Sequence, residues 1–144
     1  MLSLESSSKA VLDDFKKQPR KAQVGGMRGL TFAGKMLRKE TQKQIRDRSQ
    51  KSGKLYKYKS RYIRASAPGE YPANRSGNLA RSIGFDVNGF NLYFGARNPA
   101  FYAKFLDKGT RKMRPRPFLD RTVQKEKLEV LKIVGREIER ELQK

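Results

Sequence analysis

The run LARSIGFDVNGFNLYFG, residues 79–95, limits what this chain can fold into more than any other stretch. Apolar residues alternate with polar or small ones on both sides of Asn88-Gly89, as in two half-buried strands. Asn-Gly also supplies the positive φ angles of a two-residue type I′ turn. Together these predict a hairpin over 82–95 in which Val87 faces Phe90, Phe85 faces Leu92 and Ile83 faces Phe94. Those six share one face, while Ser82, Gly84, Asp86, Asn91, Tyr93 and Gly95 take the other. A hairpin with one apolar face cannot bury it alone, so helices must cover it. The expected fold class is therefore α+β. An antiparallel β-sheet built around the 82–95 hairpin is packed by a long helix in the N-terminal half and by a C-terminal helix.

The flanking sequence supplies those helices. Met27, Leu30, Gly34, Leu37, Thr41 and Ile45 recur at steps of three and four, the stripe of an amphipathic helix. Gly25, Gly26 and Gly29 set its expected start near Leu30, because each glycine costs up to about 1 kcal/mol inside a helix. Pro19 marks a break or a new start, and residues 2–17 read as a short helix carrying Leu4, Val11, Leu12 and Phe15 on one face. Residues 100–107 suggest another short helix ended by Gly109. From Pro117 a last helix runs to about Leu142, with Asp120 at its positive end. Its expected buried stripe is Leu128, Leu131, Gly135, Ile138 and Leu142, widened by Val123, Val130 and Val134.

Residues 49–76 differ in kind. LYKYK alternates like a strand, APGEYP is a turn signature, and apolar periodicity is scarce. The expectation is an extended basic arm or loop within a single domain, 1–144. Its parts are a helical region (1–48), the arm (49–76), sheet and connecting loops (77–116) and the C-terminal helix (117–143).

Charge narrows the function. The chain of 144 residues has 34 Lys and Arg against 14 Asp and Glu, a net +20. The surplus sits between the ends: residues 16–48 carry +9, 49–82 carry +7 and 97–121 carry +6, whereas 122–144 carry only +1. That distribution can build a positive face for an acidic partner. In KLYKYKSRYIR, Tyr56, Tyr58 and Tyr62 interleave with Lys54, Lys57, Lys59, Arg61 and Arg64. Such a mixture tracks phosphates and stacks on bases, and equally anchors a protein interface. FLDKGTRKMRPRPFLDRT, residues 105–122, crowds Arg111, Lys112, Arg114 and Arg116 beside Pro115, Pro117 and Phe118. Either this loop meets something negative or it is a stiff connector that happens to be basic.

Catalysis is not expected. The chain has no His and no Cys, so the commonest general base, the usual zinc ligand and thiolate chemistry are all missing. Carboxylates are scattered, and no catalytic serine or phosphate-loop spacing is present. No cofactor, metal or small-molecule ligand is expected, and no apolar run approaches the ~20 residues of a membrane span.

Read in order, LYKYKSRYIRASAPGEYPANRSGNLARSI and then YFGARNPAFYAKFLDKGTRKMRPRPFL resemble the neck and tail-completion proteins of long-tailed bacteriophages, a family also labelled phage morphogenesis or minor tail proteins. The resemblance covers roughly residues 55–120. It rests on Ala67, Pro68, Gly69 and Pro72, then on Gly77, Leu79, Ser82 and Ile83. It continues through Gly95, Tyr102, Ala103, Leu106, Gly109 and Thr110, and ends at Arg116, Pro117, Phe118 and Leu119. Asp107 stands where the family usually has Glu, and Lys108 where an aromatic residue is common.

The resemblance implies a structural component of a virion neck or tail, made in the bacterial host cytoplasm. It would form a ring of copies of itself around the DNA channel and join the head to the tail. Its partners would be head-connector proteins (portal, adaptor or stopper), tail-terminator or tail-tube proteins, and phage DNA in the channel. Arg111, Lys112, Arg114 and Arg116 would then face a neighbouring subunit or the channel, and the 49–76 arm would reach across to a neighbour. The alternative is a stand-alone basic protein that binds nucleic acid without sequence preference; a metal-dependent nuclease is the weakest reading.

Overall fold

The computed structural model describes residues 2–3 (by backbone alone), 16–98 and 100–144. Its elements in chain order are β1 (Leu2–Ser3), α1 (Arg20–Arg46), β2 (Leu55–Tyr58) and β3 (Arg61–Arg64), then α2 (Asn78–Ser82), β4 (Ile83–Asn88) and β5 (Asn91–Ala96), and last α3 (Ala103–Lys108) and α4 (Phe118–Leu142). The architecture is α+β, with the two long helices packed on two small antiparallel sheets. One sheet has three strands in the order β1-β5-β4, and the other pairs β2 with β3.

The β4–β5 hairpin forms where the alternation predicts it, but in a different register. Val87 pairs with Leu92, Phe85 with Phe94 and Ile83 with Ala96. The turn is Gly89-Phe90, not Asn88-Gly89, and Asn88 is the last strand residue, paired with Asn91. Gly89 has φ 58° at the first loop position, where a type II′ turn places its glycine. Moving the pairing by two residues leaves every side chain on its face, so the apolar set survives the correction. A third strand was unexpected: Leu2 and Ser3 pair with Phe94 and Tyr93, where a helix over 2–17 was expected. Leu4, Val11, Leu12 and Phe15 lie outside the described residues.

Helix α1 begins at Arg20, directly after Pro19, and runs through all three early glycines. Packing explains why they do not end it. A methyl group on Gly25 would lie 2.7 Å from the carbonyl oxygen of Glu137, and one on Gly29 2.7 Å from the Cα of Val134. The backbones of α1 and α4 meet there, antiparallel, and the burial gained offsets the poor helix propensity. The next face of α1 accepts the sheet. A side chain at Gly34 would strike the Phe85 ring of β4, and Leu37, Thr41 and Ile45 are fully buried below it. Phe94, Leu92, Ile83, Leu79 and Phe118 complete that core.

The buried face of α4 is also rotated from the expected one. Leu119, Thr122, Glu137 and Glu141 are buried, and Val123 and Val130 pack against the core. Leu128, Leu131 and Leu142 of the expected stripe are 73%, 59% and 50% exposed. The longest apolar series on α4 is thus not the one that α1 covers.

A buried hydroxyl cluster stitches the layers together. Thr122 donates to the carbonyl of Phe118 (2.8 Å) and accepts from the Tyr71 hydroxyl (3.0 Å). The Thr41 hydroxyl lies 2.9 Å from the Leu37 carbonyl and 3.2 Å from Thr122. One polar chain therefore links α1, α4 and the segment after β3, and satisfying it internally makes its burial tolerable.

The close helix contact generates a paired test. Gly29→Ala destabilises the fold by about 1–3 kcal/mol through overpacking. Gly135→Ala meets open space on α4 and gains up to about 1 kcal/mol in helix propensity. Urea unfolding of both variants should give changes of opposite sign.

Candidate assembly and nucleic-acid surface

The expected basic arm takes the form of the β2–β3 hairpin. Its register pairs Tyr56 with Ile63 and Tyr58 with Arg61, and Lys59 turns the chain at φ 55°. Ile63 is buried, Tyr56 and Tyr58 are half-buried, and the cations stay out in water. Lys54, Lys57, Lys59, Arg61 and Arg64 are all exposed, and Tyr62 among them is 68% exposed. Two of the arginines also hold the hairpin down. Arg61 donates to the Arg75 carbonyl (2.7 Å) and Arg64 to the Gly53 carbonyl (3.1 Å).

The chain then returns to the body along residues 65–77. Gly53 and Ala65 close the hairpin base at 2.9 Å, and Gly69 donates to the Pro115 carbonyl at 3.2 Å. Arg116 fastens the same segment, donating to the Ser66 hydroxyl at 2.9 Å and to the Ser66 carbonyl at 3.0 Å. It is therefore an internal strap, unlike Arg111, Lys112 and Arg114, which point into solvent. These three sit on a tight reversal in which Thr110 and Met113 exchange backbone hydrogen bonds of 2.8 and 3.2 Å. Gly109 permits that reversal with φ 76° at the end of α3, where an added side chain would strike the Met113 carbonyl at 2.8 Å. Pro117 stands just before α4, and Phe118 is wholly buried.

The two basic segments meet across a groove of about 580 Å³. Tyr56 and Tyr58 of the hairpin, Met113 and Arg116 of the second basic segment, and Leu79, Leu106 and Tyr102 line it. Pro72 and Gly77 also line it. The Arg75 guanidinium lies 4.9 Å from the Tyr58 ring centre, and the Lys59 ammonium 5.8 Å. Other residues singled out by order in the sequence are structural. Ser82 donates to the Leu79 carbonyl at 2.8 Å, Ile83 is core, and Pro68 and Gly69 form the bend that touches Pro115.

Sequence reasoning missed four residues that position this surface. Tyr71, read only as part of a turn, anchors the returning segment in the core through Thr122. Asp107 is buried and accepts the Leu119 amide at 3.0 Å, capping the first turn of α4. Lys108 reaches Asp120 at 2.6 Å, and that hydrogen bond raises its pKa. Glu70 accepts the Ser52 hydroxyl, the Ala67 amide at 2.7 Å and the Ser52 amide at 3.1 Å. A lone acid in a basic stretch was the available signal for Glu70. Nothing in the local pattern marked Tyr71.

Comparison with protein-family models, curated proteins and solved structures finds no match for this chain. Among the described residues, no group of three acidic side chains is placed to hold a metal ion, and no helix is long and apolar enough to cross a membrane.

Glu70 gives the hairpin base a pH dependence. Its bonds to the Ser52 hydroxyl and the Ala67 amide hold its pKa below the usual carboxylate value. A depressed acid contributes stability above its unfolded pKa, and that stability is lost as pH falls through its folded pKa. Amide exchange at Ser52 and Ala67, corrected for intrinsic rates, should therefore accelerate below about pH 4. In Glu70→Gln it should be fast already at neutral pH.

Proposed function

We propose that this chain is a structural subunit of the neck of a long-tailed bacteriophage, a ring component that completes the tail or joins it to the head. The observation that carries this reading is the convergence of six of the ordered motif residues on one surface. Pro72, Gly77, Leu79, Tyr102, Leu106 and Arg116 are far apart in sequence and line one groove between two basic segments. Among the described residues, Lys54, Lys57, Arg111, Lys112 and Arg114 form no ion pair, so their charge is open to a partner. An aromatic and basic hairpin beside a groove is the kind of surface that a neighbouring subunit occupies.

Electrostatics limit how such a ring closes. Each copy brings +20, and like charges within the ~8 Å Debye length repel. Acidic partner surfaces or DNA phosphates must offset that repulsion, and contacts to DNA would be phosphate-directed and blind to sequence. A photo-reactive residue in place of Tyr62 tests the hairpin's part in this. In assembled particles it should cross-link to a second copy or to another neck protein. Cross-links confined to a single chain would reject the reading.

A second reading, a stand-alone nonspecific nucleic-acid-binding protein, is favoured by the cations gathered around Tyr58 and the exposed Tyr62. It requires tight binding of free DNA by the isolated chain, with log affinity falling steeply and linearly in log salt. The neck reading requires weak binding by the isolated chain and particles without joined tails when its gene is deleted. Titration of a short duplex at several salt concentrations separates the two.

A further inference from the structure

The exposed side of α4 carries a pattern that the fold leaves unused. Leu128, Leu131, Gly135, Ile138 and Leu142 are spaced three, four, three and four residues apart, the narrow seam of a coiled coil. Leu128, Leu131 and Leu142 are largely exposed, and Ile138 lies half-buried at the edge of the α1 contact. A side chain at Gly135, the centre of the seam, would meet nothing within 4 Å. About four turns of helix thus present an apolar ridge with a notch at its midpoint, where another helix can come close.

Charge selects the occupant. Most of this molecule repels its own kind: α1 alone carries eight Lys and Arg against one Glu. Residues 122–144, by contrast, carry only +1. With Leu128, Gly135 and Leu142 as a positions, Lys127 takes a g position and Lys132 and Glu139 take e positions. A parallel pair of such helices would set Lys127 against Lys132 of the second copy. An antiparallel pair sets Lys132 against Glu139, twice by symmetry. Neither Lys132 nor Glu139 forms an ion pair within the chain among the described residues.

We propose that this seam is an interface for a second copy of the same chain, an antiparallel α4–α4 contact crossing near Gly135. The contact is isologous, so it is separate from any head-to-tail interface that would close a ring, and it does not depend on the neck assignment. Its small area makes a weak dimer, and the basic remainder of each copy weakens it further.

Sedimentation equilibrium of the full chain provides the test. Wild type should associate reversibly, and Leu131→Glu, an exposed change that leaves the circular dichroism intact, should raise the dimer Kd at least tenfold. Lys132→Glu and Glu139→Lys should each weaken the dimer, and the double swap should restore it to near wild-type strength. Failure of the double swap to rescue would overturn the antiparallel register. A wild-type chain that stays monomeric at its solubility limit would overturn the proposal. So would a dimer indifferent to Leu131→Glu. A monomer that instead binds phosphatidylglycerol vesicles through Leu131 would give this face to a membrane and equally reject the second copy.

Discussion

The approach of α1 to α4 at Gly25 and Gly29 is the constraint on which the remaining structure depends. Because α1 presents no side chain at these two positions, its backbone lies against α4 there, and α1 can turn its next face to the sheet. Phe85 then enters the space left by Gly34, which fixes the height of the β4–β5 hairpin against α1. The small residues are therefore not interruptions of a helix. They are the surfaces that let one helix touch two partners at once, and their cost in helix propensity is met by close packing on both sides.

On that frame, polar contacts rather than apolar burial hold the basic surface. The Tyr71 hydroxyl reaches Thr122, Arg116 grips Ser66, and Glu70 gathers the amides of Ser52 and Ala67. Asp107 of α3, by accepting the Leu119 amide in the first turn of α4, fixes the end of the loop that presents Arg111, Lys112 and Arg114. This division has a physical logic. Groups with internal partners set the shape, and cations without them are left to meet whatever is negative outside.

Much of the fold was legible in local pattern. The hairpin's alternation named its apolar face, and the spacing of Leu37, Thr41 and Ile45 named the face of α1 that covers it. What failed was whatever depends on geometry beyond the pattern. The hairpin register turned on whether Asn88 or Gly89 leads the turn, and both choices give the same facing of side chains. The glycines of α1 argued against helix until α4 was known to lie on them. On α4 two apolar series compete, and the shorter wins because Val134 meets α1 at Gly29 and Val130 packs against the core. For the surface, composition identified the basic segments but could not divide straps from free cations. Arg111 and Arg116 look alike in sequence and have opposite roles in space. Tyr71 escaped notice because an anchor from a loop leaves no periodic trace.

The β2–β3 hairpin has one further implication. Of residues 55–64 only Ile63 is buried, so little apolar surface is exposed to water when this ribbon lifts away. Detaching this pair of strands, held by such bonds as Arg61 to the Arg75 carbonyl, exposes less apolar surface than separating the long helices does. A molecule of this kind can keep its scaffold rigid while one flap adapts to surfaces of differing shape.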